Sequence, residues 1–170
     1  AEVIGLYSQK GAVGILGTNG TVQSGSYALE IEKFFPHLKV YQQACPLLVP
    51  LVEHGERDSE GTRWFVQKYL EELRMQSPAI DTILLACTHY PLLIKQFEAL
   101  LPPEIRVVSQ GPIVADSLKD YLYRHPEMEA RISKNGRQVF YTTDEPETFS
   151  RQGSAFFGST LHALHTDLKR

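Results

Sequence analysis

The sequence is short of several things, and each shortage removes a class of function. No apolar run approaches the roughly 18 residues needed to span a membrane as a helix, and no signal-peptide pattern is visible. There are only two cysteines in 170 residues, Cys45 and Cys87, in no C-x-x-C pair. That spacing argues against a disulfide framework and for a reducing compartment. Positive charge is not in excess: 17 Lys and Arg stand against 20 Asp and Glu, a formal net charge of −3. No basic face for nucleic acid follows from such a balance. Low-complexity tracts and internal repeats are missing as well, and a hydrophobic content of 42% with 22% charged residues is a globular composition. The expectation is a cytoplasmic, soluble chain of one domain or two small ones.

What is present is a run of short apolar stretches alternating with helical patterns, which predicts an α/β fold with a doubly wound parallel sheet. The most informative stretch is Thr82 to Leu93. Thr82 to Ala86 reads as a strand buried on both faces. Cys87, Thr88 and His89 then place a thiol, a hydroxyl and an imidazole on consecutive residues. Pro91 suits the first turn of a helix, which continues through Ile94, Phe97, Leu100 and Leu101. The three polar residues thus lie at the carboxyl end of a strand, where ligands bind in open α/β sheets. An ordinary cysteine thiol titrates near ~8.5, and a helix start or a histidine favours its thiolate. Cys87 could then act as nucleophile, metal ligand or proton-transfer group. The plainer reading is a small residue closing a core strand.

The rest of the chain reads in order. Val3, Ile4 and Tyr7 fit a short helix capped at Gly11. Ala12 to Leu16 predicts a strand, and Gly17 to Thr21 a turn opening a helix through about Phe35, with Thr21 or Ser24 as N-cap. A strand, a turn and a helix N-terminus together favour anions, although G-T-x-G-T is neither a Walker loop nor a dinucleotide fingerprint. Lys39 to Ala44 is a strand ending at Cys45, whose proline and aliphatic neighbours mark it as structural. Glu53 follows an apolar run and could reach a cleft, whereas Glu56 and Glu60 suit a helix start. Trp64, Phe65, Tyr69, Leu70 and Leu73 read as a buried stripe. Further on, Ile105 to Val108 predicts a strand, and Ile113, Val114, Leu118, Tyr121 and Leu122 the buried face of a helix. Residues 124–136 read as a surface excursion. A last strand falls at Val139 to Thr142, with a helix from Pro146 and Phe149, Phe156 and Phe157 on its apolar side.

Three segments in order, Gly14 to Thr21, Ala44 to Glu53 and Ala86 to Leu93, resemble the motifs of the glutamate racemases, of the aspartate/glutamate racemase superfamily; weaker matches lie at Gly111 to Leu118 and Phe140 to Phe157. The resemblance implies a cofactor-independent racemase of glutamate, with no metal, supplying D-glutamate for peptidoglycan and compatible with a homodimer. Cys87 corresponds to the second catalytic cysteine, facing the proton of L-glutamate, His89 to its assistant, and Glu53 to the acid on that side of the cleft. Thr88, with Thr18 or Thr21, corresponds to the groups holding the substrate carboxylates. His54 departs from the family, most members carrying a second acid there. The first catalytic cysteine and its aspartate would belong to an amino-terminal portion outside this sequence, which is thereby expected to be a fragment. In the implied two-lobed architecture, residues 1–106 form most of one α/β lobe and 107–170 part of the other, left incomplete. Competing readings are an aspartate racemase-like enzyme, a cysteine hydrolase, and a catalytically inactive binding or assembly fragment.

Overall fold

Gly14 shows how tightly the central layer is built: a Cβ on it would lie 2.6 Å from Leu73 Cδ2, so a side chain there would drive a helix off the sheet. The computed structural model describes residues 1–168. The chain divides into two compact units, Ala1–Ser117 and Leu118–Arg170.

The first unit opens with a single 3-10 turn, Ile4–Leu6, in place of the expected short helix. Gly11 has the left-handed φ of 72° but sits directly before β1 (Ala12–Gly17), beyond the end of that turn. After β1 come α1 (Asn19–Ser24), α2 (Ser26–Phe34), β2 (Lys39–Ala44), α3 (Leu48–Glu53), α4 (Glu60–Gln76), β3 (Thr82–Leu85), a 3-10 turn Tyr90–Leu93, α5 (Ile94–Leu100), β4 (Arg106–Ser109) and the first half of α6 (Gln110–Arg124), whose residues from Leu118 on are counted with the second unit. The helix expected as one piece to Phe35 is thus two, because Gly25 takes a φ of 62° between them and breaks the i to i−4 ladder.

The four strands form one parallel sheet in the order β2-β1-β3-β4. The chain moves from β1 out to β2 and then returns to β1's other side for β3. The strand order therefore reverses between β1 and β3, and open α/β sheets bind ligands at the carboxyl end of such a switch point. Along β1, Val13 and Ile15 face one core with Ile4, Ile31, Leu38, Leu84, Ala86 and Val108. Gly14 faces the opposite side, against α4. Every residue of β1 and β3 is buried, as a sheet covered on both faces requires.

Two expected faces are corrected. On α4 the buried residues are Thr62, Val66, Tyr69, Leu70 and Leu73, while Trp64 is 57% exposed under the Lys68 ammonium. Two residues along a helix is about 200° of rotation, so Trp64 points away from the side that Val66 buries. On α6 no residue is buried: Val114, Leu118 and Tyr121 are exposed, Leu122 is half-buried, and Ile113 in the first turns packs on the core.

At the amino end of the sheet, Asp81 accepts four hydrogen bonds. Ser8 Oγ donates at 2.7 Å and Thr82 Oγ1 at 3.1 Å to Oδ1, and the Gln9 and Lys10 amides each donate at 2.7 Å to Oδ2. Burial pushes its pKa up, but these bonds outweigh burial and hold the carboxyl below its ordinary value.

The second unit contains α7 (Pro126–Glu129), β5 (Phe140–Thr142), α8 (Pro146–Phe157) and β6 (Ala163–His165). β5 and β6 pair in parallel as a separate two-stranded sheet. β6 was not expected from its sequence; it is fastened by α8, where Ser150 Oγ accepts from the Ala163 amide and Ser154 Oγ from the Leu161 amide. Phe157 meets Phe140 edge to face at 5.4 Å, although it and Phe149 remain well exposed.

Candidate functional site at the switch point

Cys87 follows β3 by two residues, where the apolar run stops and the backbone turns. The turn that follows is 3-10 before it becomes α5, with Pro91 in its first positions as the missing N–H permits. Cys87 is half-buried and its thiol is free. Its Sγ lies 4.0 Å from His89 Nδ1, and Thr88 Oγ1 lies 3.5 Å from the same nitrogen. The other ring nitrogen, His89 Nε2, stands 3.2 Å from Glu53 Oε1. Glu53 is the last residue of α3, so a carboxylate from the segment after β2 meets an imidazole from the segment after β3.

This line of groups has a definite chemical sense. A neutral imidazole donating from Nε2 to Glu53 carries no proton on Nδ1, which then accepts from the thiol or from the Thr88 hydroxyl. In that tautomer Glu53 is an acceptor for the ring's one N–H. His54, in contrast, bonds back to its own helix, with Nδ1 2.8 Å from the Pro50 carbonyl.

The second set lies after β1. Thr18 is the N-cap of α1, its Oγ1 accepting from the Thr21 amide at 3.3 Å, rather than Thr21 or Ser24 filling that role. The two threonine hydroxyls are 3.0 Å apart and share a hydrogen bond. Cap and hydroxyl pair therefore stand at the carboxyl end of β1, beside β3 in the sheet. Tyr90 holds the segments together and was not singled out by sequence reasoning. Its ring is fully buried, and its hydroxyl donates toward two carbonyls, Gly17 O at 3.1 Å and Cys45 O at 2.9 Å. Burial, then the neighbouring thiols, push its pKa above the ordinary tyrosine value.

Cys45 contrasts with Cys87 throughout. It is completely buried, its Sγ donates weakly to Gln43 O at 3.7 Å, and burial, followed by the charge of Glu72, pushes its thiol well above the ordinary range. Brief iodoacetamide treatment of the native chain is expected to label Cys87 faster than Cys45 by roughly tenfold or more, since the accessible thiolate is the reacting form. Peptide mapping measures the ratio; equal labelling would contradict the difference in environment. Among the described residues, no three His, Cys, Asp or Glu side chains gather closely enough to hold a metal ion.

No family model matches the chain. Individual proteins do. It is 38% identical over 151 residues to the glutamate racemase of Syntrophus aciditrophicus, covering 88% of this chain and 54% of that protein. The crystal structure of a glutamate racemase isoform from Bacillus anthracis superposes with a TM-score of 0.84 at 28% identity, covering 98% of this chain and 61% of that one. The glutamate racemase of Francisella tularensis, solved in complex with D-glutamate, gives 0.82 at 25% identity over 98% of this chain and 60% of that one. The chain spans a little over half the length of the curated relatives it matches. In sequence and in fold alike, it is a homologue of the glutamate racemases that corresponds to part of their length.

Proposed function

We propose that this chain supplies one half of the active site of a cofactor-independent glutamate racemase. The observation that carries the reading is the line Cys87–His89–Glu53 at the β1/β3 switch point, with the hydroxyl pair of Thr18 and Thr21 after the adjacent strand β1. Racemisation needs one acid/base group on each face of Cα, because the proton removed from one side must be returned from the other. Cys87 is the group for one face: its thiolate takes the Cα proton of L-glutamate, and its thiol returns a proton when D-glutamate reacts. A thiolate suits the task because it is poorly hydrated and costs less to desolvate than a carboxylate.

His89 holds or relays the Cys87 proton through Nδ1 while Glu53 fixes its ring. Thr88, with Thr18 or Thr21, donates to the substrate carboxylates and stabilises the charge that develops at Cα. The complex of the Francisella tularensis relative with D-glutamate supports glutamate as the substrate. The opposite-face cysteine belongs to the part of the relatives' length that these residues do not match. Residues 1–106 belong to one lobe of that enzyme and 107–170 to the other. The product, D-glutamate, would serve peptidoglycan synthesis.

A second reading, an assembly module without catalysis, is favoured by the uncovered apolar side chains of α6, Val114 and Leu118. One experiment separates the two. The 170-residue chain alone, incubated with L-glutamate in D2O, is expected to form no D-glutamate; adding the polypeptide that completes a racemase is expected to restore product carrying deuterium at Cα. Turnover by the chain alone would put both bases within these residues. Binding of the completing polypeptide without turnover would favour the assembly module, and turnover of aspartate in place of glutamate would change the substrate.

A further inference from the structure

Tyr90 has more contacts than a core residue needs. Phenylalanine would fill the same buried space, yet the phenol places its one proton between two backbone carbonyls, 3.1 Å from Gly17 O and 2.9 Å from Cys45 O. Both carbonyls already accept an amide: Cys45 N donates to Gly17 O at 2.8 Å, and Leu48 N to Cys45 O at 3.3 Å. The hydroxyl therefore takes up the second lone pair of each. Gly17 ends β1 and precedes Thr18. Cys45 follows β2 and leads into α3, which ends at Glu53. Tyr90 itself follows His89. One buried side chain thus bonds to two of the three segments that carry candidate site residues, and belongs to the third.

We infer that Tyr90 is a positioning residue of this site, its hydroxyl fastening the His89 turn to the ends of β1 and β2 so that the imidazole stands between Cys87 and Glu53. It acts through His89. The inference takes the meaning of the site from the proposed racemase, but its test reads the reactivity of a thiol and needs no turnover.

Tyr90→Phe removes one oxygen and keeps the ring. In the 170-residue chain it is expected to slow Cys87 alkylation at pH 7 by about threefold or more while Cys45 stays protected, because the imidazole that assists the thiol is no longer held beside it. His89→Asn is expected to slow Cys87 by a similar factor, and adding Tyr90→Phe to it to slow Cys87 no further, the mark of two residues acting through one path. A variant that melts earlier but alkylates at the original rate overturns the inference and leaves Tyr90 a core residue; so does a double variant whose effects multiply. Should the variant fail to fold, the unaltered chain still decides. The Tyr90 hydroxyl proton, locked between two carbonyls away from water, is expected to exchange slowly enough to give an NMR signal, and fast exchange refutes the fastening. If the racemase reading fails, the completed protein does not turn over glutamate and these readouts stand; if the Tyr90 reading fails, turnover stands and these readouts do not move.

Discussion

On the proposed racemase reading, Cys87→Ser in the completed protein is expected to lower kcat/KM for glutamate by about 10²–10⁴-fold, the usual weight of a positioned acid/base group. Serine keeps a hydroxyl of similar size in the half-buried position after β3, so substrate still fits, but the alkoxide it would need is far less accessible than a thiolate. Both directions of net racemisation must fall together, since the equilibrium between enantiomers is fixed. The side of attack is read instead from the primary isotope effect with 2-deuterated substrates. Slower removal of the L-proton is expected to raise the effect selectively with deuterated L-glutamate. A selective rise with deuterated D-glutamate would put Cys87 on the opposite face. Unchanged activity would remove it from the chemistry altogether.

The second large effect is expected far from that thiol. Asp81→Asn exchanges one of two acceptor oxygens for an amide that cannot accept. Either Ser8 and Thr82, or the Gln9 and Lys10 amides, then lose their partner. Each hydrogen bond lost at this partly buried carboxylate costs roughly 1–2 kcal/mol, so a loss of about 2–4 kcal/mol is expected at neutral pH. In a chain of this size each kcal/mol is about 2–4 °C of melting temperature. The pH dependence has a definite sign. The folded-state pKa of Asp81 is lowered, so its contribution is fully present above the ordinary carboxylate value near ~3.9 and is lost as the pH falls through the folded value. The gap between parent and variant in urea unfolding is therefore expected to close in acid. A gap of constant size from pH 7 downward would show that ionisation of Asp81 is not what holds the amino-terminal segment.

Much of this fold is legible in local pattern. The strands β1 and β3 stand out because both of their faces are covered, so nearly every residue is apolar, and Ser59 marks the start of α4 by its cap. The positions of Cys87 and His89 follow from where the apolar run of β3 ends. What the pattern misled on depends on the angle at which an element meets the sheet. Trp64 is apolar and adjacent to a buried stripe, yet faces water. The apolar spacing on α6 is real but is not covered among the described residues. What it could not reveal depends on distant partners. β6 is three residues long and owes its place to two serines on α8. The pairing of Glu53 with His89 joins residues from segments after different strands, and Tyr90 reaches Gly17 across 73 positions of sequence.

The small β5–β6 sheet bears on how this protein behaves at high concentration. Each strand has one neighbour among the described residues, so each leaves a rim of amides and carbonyls without a ladder partner, with Tyr141 and Leu164 exposed alongside. Such rims are templates for any extended chain that drifts past. One colloidal weak point is thus in the last third of the sequence. Charged residues placed outward on these two strands would improve solubility without touching Cys87, His89 or Glu53.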